Sequence, residues 1–255
     1  MTGDLQPALY PGRAPRFFYP DRLASGASCE LPEQAAHHAM RVLRMRPGDT
    51  VVLFNGDGLE WDATITAMRK PGVSVKVVSA RSRDVEPALQ IALAQSISSR
   101  ERMDLTLQKA TELGVAQIWP LITQRSVVRL SEDRAERRVL HWQHLAAAAC
   151  EQCGRNRLPQ IHAPEPFTTW LGRLPADDGT LRLTLSPVAD GRLRDHRAPE
   201  TVLLLVGPEG GLTPDEMDLA RQFGFRGVRL GPRVLRTETA ALAAISAMHA
   251  LWGDF

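Results

Sequence analysis

The stretch from Thr201 to Leu242, TVLLLVGPEGGLTPDEMDLARQFGFRGVRLGPRVLRTETAAL, constrains the fold more than any other part of this chain. Its opening run, TVLLLV, is short, apolar and unalternating, the pattern of a strand buried on both faces. The run empties into Gly207-Pro208-Glu209-Gly210-Gly211, where three glycines let backbone approach a ligand closely. A helix start follows. Thr213 is placed as N-cap, Pro214 takes the first helical position and Glu216 closes a capping box. The helix is predicted to end at about Gly224, and Gly227–Gly231 reads as a second strand. Residues 232–239 then form a second special loop before an alanine-rich last helix. Two strand ends that each open into such a loop make a ligand crevice at the carboxyl edge of a parallel sheet.

Upstream, Leu89–Gln95 reads as a strand, Glu101–Leu113 as a helix closed by Gly114, and Ala116–Ile122 as a strand. Strand, helix, strand at this spacing is a βαβ unit and implies a parallel sheet. Glu132–Cys153 is a long helix ending at Gly154, and Leu181–Ser186 is a further strand. Before Pro87 the rhythm is shorter. Arg16-Phe17-Phe18 begins the ordered part, and Glu33–Met45 has helical spacing that stops at Pro47-Gly48. Val51–Asn55 and Leu59–Thr66 flank Gly56-Asp57-Gly58 as a hairpin, and Val73–Val78 alternates as a strand after a turn at Pro71-Gly72. Close-set short strands suggest a small β-barrel over residues 16–80. The expected organisation is a flexible extension over 1–15, the barrel, a linker at 81–87 and an α/β domain over 88–255.

Charge narrows the function little: 31 Lys+Arg against 29 Asp+Glu leaves +2. The basic residues are nearly all arginine, however, with lysine only at Lys70, Lys76 and Lys109. Arginine is the better residue for bidentate phosphate contact and for stacking on bases. Cys29, Cys150 and Cys153 do not make a disulfide scaffold, and Cys150-x-x-Cys153 falls near a helix C-terminus, where no dipole lowers a thiol pKa. Packing is the expected role for that pair. His37-His38 has no carboxylate or cysteine at ligand spacing, so no metal is expected. The glycine turn lacks a P-loop lysine and no G-x-G-x-x-G occurs, which argues against nucleotide hydrolysis and a dinucleotide site. No apolar run approaches membrane-spanning length, and the first twenty residues lack the order of a secretory signal. A cytoplasmic location is expected.

GPEGGL followed by LGPRVLRTETAAL resembles the RsmE family, methyltransferases that modify N3 of a uridine in 16S ribosomal RNA. The family belongs to the SPOUT class, so the resemblance implies an α/β domain with a deep trefoil knot that binds S-adenosylmethionine. It also implies a PUA-like RNA-binding barrel, matched here by His38-Ala-Met-Arg41-Val-Leu-Arg44-Met-Arg46. Three loops would wrap the cofactor, largely through backbone groups. They comprise Leu185, Ser186 and Pro187; Val206, Gly207, Pro208, Glu209, Gly210 and Gly211; and Leu230, Gly231, Pro232, Val234, Leu235, Arg236, Thr237, Thr239 and Ala240.

The candidate catalytic residues are Arg236, Glu238 and Glu209. Loss of the uracil N3 proton needs a base or a group that stabilises the anion. Either carboxylate has a plainer reading: Glu238 suits a helix start by its charge, and Glu209 suits its turn by accepting backbone donors. Arg236 can hold a phosphate or the uracil oxyanion, or else pair with one of those carboxylates. Candidate RNA contacts are Arg16, Arg41, Arg44 and Arg46 in the small domain; the resemblance adds Arg125 in an Arg-Ser-Val element, and Gln152, Arg155 and Arg157 in the segment around the end of the long helix. Phe17-Phe18 reads as core rather than a stacking platform. Partners implied are 16S rRNA within the small ribosomal subunit and a second copy of the chain, whose small, apolar last helix suits an interface. Two rivals stand beside this reading: a SPOUT methyltransferase acting on tRNA, and an RNA-binding module without catalysis.

Overall fold

The structure, a computed structural model, describes residues 14–69, 72–126, 132–176 and 178–255. Most of the expected N-terminal extension, Pro71 of the expected Pro71-Gly72 turn, and Val127 lie outside the described residues. The chain divides into two units: residues through Glu86 together with Ala147–Leu158, and Pro87–Ala146 together with Pro159–Phe255.

In the first unit, β1 (Arg16–Phe18), β2 (Ser28–Glu30), β3 (Thr50–Phe54), β4 (Leu59–Arg69) and β5 (Gly72–Ser82) form one sheet in the order β1-β3-β4-β5-β2. β1 pairs β3 in parallel and the other pairs are antiparallel. No β1–β2 pairing closes this sheet among the described residues. Alternation along β5 turns Val73, Val75 and Val77 inward, where they meet Phe17, Leu53 and Ile65. β5 runs to Ser82, opposite Leu59, so the strand continues into the segment expected as linker.

The helix expected over Glu33–Met45 is shorter and changes pitch. α1 (Glu33–His37) gives way to a π turn over His38–Val42, and Arg44 ends it at φ 52°. The wider turn keeps Ala35, Ala36 and Ala39 buried while Arg41 and Val42 face outward.

The 147–158 segment joins this unit through a buried polar network. Arg16 pairs with Glu60, and its Nη2 donates to Arg155 O at 3.0 Å and to Asn156 Oδ1 at 2.7 Å. Arg81 and Arg83 also reach Glu60, at 2.9 and 3.1 Å, and Arg155 pairs with Glu86 at 2.6 Å. Glu60 is 1% exposed, and three guanidiniums offset the cost of burying its charge.

The second unit contains β6 (Gln90–Ser96), α2 (Arg100–Glu112), β7 (Gln117–Ile122), α3 (Glu132–Cys153, whose last residues belong to the first unit), β8 (Gln160–Ile161), β9 (Glu165–Pro166), α4 (Phe167–Leu171), β10 (Leu181–Leu185), β11 (Thr201–Val206), α5 (Pro214–Gln222), β12 (Arg226–Val228) and α6 (Thr237–Trp252). Its sheet is parallel, in the order β12-β10-β11-β6-β7-β8, with β9 also on β7. One face packs Met103 and Leu107 of α2, Trp142 of α3, and Ala241, Ala244 and Met248 of α6. The other packs Phe167 and Trp170 of α4, Ala220 of α5, and Phe225. The unalternating apolar runs of β6 and β11 follow from this double cover. The predicted cap of α5 is present: Thr213 Oγ1 accepts from Glu216 N, and Glu216 Oε2 accepts from Thr213 N.

Candidate functional site

Three neighbouring strands, β12, β10 and β11, end on the same edge of the parallel sheet, and the loops leaving them enclose a cavity of about 490 Å³. That size suits a ligand of nucleoside dimensions. Leu185, Ser186 and Pro187 line it from the end of β10. Val206 to Leu212 line it from β11, and Val228 to Gly231 with Arg233 to Thr237 from β12. Ala240 and Arg102 complete the wall. Of the residues expected at the cofactor, only Pro232 and Thr239 are absent from this lining.

Close backbone approach shapes the turn after β11. A β-carbon on Gly207 would fall 2.9 Å from Leu212 N, and Gly211 sits at φ 69°. The start of α6 is tied to the same turn. Thr237 Oγ1 donates to Gly207 O at 2.7 Å and accepts from Gln95 Nε2 at 3.0 Å. The chain therefore leaves β12 at one edge of the sheet and reaches the ends of β11 and β6 before α6 begins.

The two carboxylates differ in their surroundings. Glu209 Oε1 accepts from Ser99 N at 3.0 Å and from Arg102 Nη1 at 3.0 Å. Burial pushes the Glu209 carboxyl up, but the Ser99 amide, its own backbone N–H and the Arg102 guanidinium outweigh it and hold it below the usual range. Such a carboxylate stays ionised and is a poor proton acceptor. Glu238, in the first turn of α6, is 8% exposed, and its Oε1 lies 3.9 Å from Arg102 Nε. Glu238 Oε2 is buried with no hydrogen-bond partner among the described residues, but Glu238, unlike Glu209, is absent from the cavity lining.

Arg102 was not legible as a site residue in the pattern of Glu101–Leu113. One signal was available: Arg100 and Arg102 place two cations in the first turn of α2, where the helix dipole opposes them. The pairing with Glu209 and Glu238 that Arg236 was considered for belongs to Arg102 instead. Arg236 lies exposed at the N-cap of α6, lines the cavity, and makes no ion pair among the described residues.

The expected RNA contacts separate. Arg41, Arg44, Arg46, Gln152 and Arg157 are exposed. Arg157 lies over Gly58, where a β-carbon would fall 2.6 Å from its Nη2. Arg16 and Arg155 are 8% and 4% exposed and are committed to Glu60 and Glu86, so neither is available to a phosphate. Their burial corrects the expectation. Arg125 is exposed, but its Nη1 donates to Gly210 O at 2.7 Å. In the C-x-x-C pair, Cys150 is buried at the end of α3. A hydrogen bond with Cys153, together with burial, pushes its thiol far up, so it is not a nucleophile. Among the described residues no cluster of His, Cys, Asp and Glu could hold a metal ion.

The RNA methyltransferase domain family matches residues 85–249, and the RNA methyltransferase PUA domain family matches residues 31–78. Ribosomal RNA small subunit methyltransferase E of Buchnera aphidicola subsp. Schizaphis graminum is 32% identical, over 95% of this chain and 98% of that protein. The Bacillus subtilis protein of the same name is 31% identical, over 84% and 87%. Among solved structures, ribosomal RNA small subunit methyltransferase E from Neisseria gonorrhoeae bound to S-adenosylmethionine aligns with a TM-score of 0.87 at 41% identity, covering 95% of this chain and 100% of that one. A putative methyltransferase from Legionella pneumophila in complex with the same cofactor aligns at 0.90 with 39% identity and the same coverage.

Proposed function

This chain belongs to the ribosomal RNA small subunit methyltransferase E, or RsmE, family, and from that premise we infer that it methylates N3 of a uridine in 16S rRNA, using S-adenosylmethionine. The observation that carries this reading is the cavity at the ends of β10, β11 and β12, placed where an open parallel sheet binds ligands. Its chemistry fits a nucleoside cofactor. Apolar walls from Leu185, Val206, Leu230 and Leu235 face a rim of backbone donors and acceptors, and glycines let that backbone come close. When bound, S-adenosylmethionine supplies an electrophilic methyl group. The protein's own part is to position the base and remove its N3 proton. Arg102 and Arg236, both on the cavity wall, supply positive charge toward the developing uracil anion, and Glu238, outside the lining but beside Arg102, is the carboxylate with an unpartnered oxygen to take the proton. Glu209, already engaged by two donors, anchors Arg102.

In this reading the first unit is the RNA-binding part, with Arg41, Arg44 and Arg46 presented to phosphates. We propose that the chain is knotted as in the SPOUT class, a reading supported by the return of the chain from β12 to the Gly207 turn. No helix among the described residues is long and apolar enough to cross a membrane; the cytoplasmic location we propose rests on the ribosomal substrate alone. The assembly is a homodimer. Leu105, Leu140 and Leu251, 42%, 56% and 49% exposed on α2, α3 and α6, are the apolar surface a second copy would cover. Sedimentation velocity is expected to give the mass of two chains, and a single-chain mass at micromolar concentration would sink the dimer.

The functional test uses isotope-labelled S-adenosylmethionine and small ribosomal subunits that lack the modification. Label is expected in 16S rRNA, recovered as 3-methyluridine after digestion. Label found only in tRNA would overturn the substrate reading, and label at a carbon or ribose position would overturn the N3 chemistry.

A further inference from the structure

The turn after β7 closes on itself and then reaches across the sheet. Thr123 and Ser126 share a side-chain hydrogen bond of 2.9 Å, and Ser126 N donates to Thr123 O at 3.1 Å. Within this stiff turn, Gln124 N donates to Glu216 Oε1 at 2.8 Å, while the other oxygen of Glu216 caps α5. Arg125 Nη1 donates to Gly210 O at 2.7 Å. Because β6 lies between β7 and β11, both bonds pass over the end of β6 to hold the loop that leaves β11. The arginine stem also packs on that loop: a β-carbon on Gly210 would fall 3.3 Å from Arg125 Cδ. Gly210 lines the cavity and Arg125 does not.

We propose that Arg125 is a positioning residue that latches the Gly207–Gly211 turn in its cofactor-binding shape, rather than a contact to RNA phosphate. The proposal rests on the methyltransferase reading of the cavity and adds the means by which its glycine-rich wall is held. Three glycines within five residues leave that turn with wide backbone freedom, and freedom lost on binding lowers affinity. Tying Gly210 O to a guanidinium whose own turn is closed removes part of that freedom in advance. The bond is charge-assisted, since a cation donates to a carbonyl, and so is stronger than a neutral one.

The test compares the wild-type protein with Arg125→Ala and Arg125→Lys. Calorimetry measures the affinity for S-adenosylhomocysteine, and steady-state assays give KM for small ribosomal subunits over a range of salt. Arg125→Ala is expected to weaken S-adenosylhomocysteine about tenfold, with the subunit KM and its salt dependence unchanged. Arg125→Lys, which keeps a cationic donor but not the planar guanidinium, is expected to fall between. If Arg125→Ala binds S-adenosylhomocysteine as the wild type does, the latch is overturned, and a raised subunit KM with a shallower salt dependence would return Arg125 to phosphate contact. If the wild-type protein binds neither S-adenosylhomocysteine nor S-adenosylmethionine, the functional reading falls and takes the latch with it.

Discussion

Arg102→Met is expected to lower kcat for methyl transfer about a hundredfold, the usual cost of removing one preorganised charge from a reacting centre. The guanidinium lies between Glu209 at 3.0 Å and Glu238 at 3.9 Å, on the cavity wall. Without it, both carboxylates lose the cation they share. Methionine keeps the length and apolar stem, so packing at the start of α2 is retained. The side chain of Arg102 is 34% exposed, and solvent screening limits the loss of folding stability to about 1 kcal/mol. Affinity for S-adenosylhomocysteine should change by no more than a few-fold, since Glu209 keeps the Ser99 amide as donor and the Gly207–Gly211 turn stays tied at Gly207 and Gly210. Arg102→Lys restores a point charge without the planar fork and is expected to recover part of the rate. Single-turnover rates on small ribosomal subunits check this. A rate for Arg102→Met within threefold of wild type would remove Arg102 from the proton-handling group.

The second large effect concerns stability rather than catalysis. Glu151 sits near the end of α3, and its Oε1 accepts from Phe18 N at 2.9 Å. Burial pushes its carboxyl up from 4.5 to about 7, although the Phe18 amide and the charge of Arg16 pull the other way. The sign follows from linkage. Below pH 4.5 both folded and unfolded chains hold the proton, so Glu151 costs nothing. As pH rises from 4.5 to 7 the unfolded chain ionises first, and stability falls. Above pH 7 the folded chain carries the full penalty, up to about 3 kcal/mol. Glu151→Gln keeps an acceptor for Phe18 N and removes the charge. It is therefore expected to stabilise the protein by up to about 3 kcal/mol at pH 8 and to change little at pH 4.5. Urea unfolding at both pH values measures the difference. A gain of equal size at the two values would show that the charge of Glu151 is not its source.

Much of the site could be read along the chain because it is built from local backbone signals. Gly207-Pro-Glu-Gly-Gly211 after an apolar strand, and the Thr213-Pro214-Glu216 cap after it, each encode their geometry within a few residues. The individual loop residues were expected from the family resemblance, and all but Pro232 and Thr239 line the cavity. The α1 segment was harder. Periodicity over Glu33–Met45 suggested one helix, yet the chain passes from α1 into a π turn over His38–Val42 and ends at a left-handed Arg44, a change of pitch that the spacing of the buried alanines does not announce.

The side-chain pairings were decided elsewhere. Arg102 meets Glu209 across 107 positions of chain and Arg125 meets Gly210 across 85, because the strand order puts β6 beside β11 and β7 beside β6. Arg16 and Arg155 look in the sequence like the surface arginines of an RNA-binding protein. They become interior only because residues 147–158 pack with the first unit and bring Asn156 to Arg16 and Arg155 to Glu86. Turn shapes, caps and strand ends depend on torsions and hydrogen bonds among near neighbours, so the amino-acid sequence by itself determined them. Which arginine serves a carboxylate, a carbonyl or a phosphate depends on which distant groups arrive within 3 to 4 Å, and only the tertiary structure decided that.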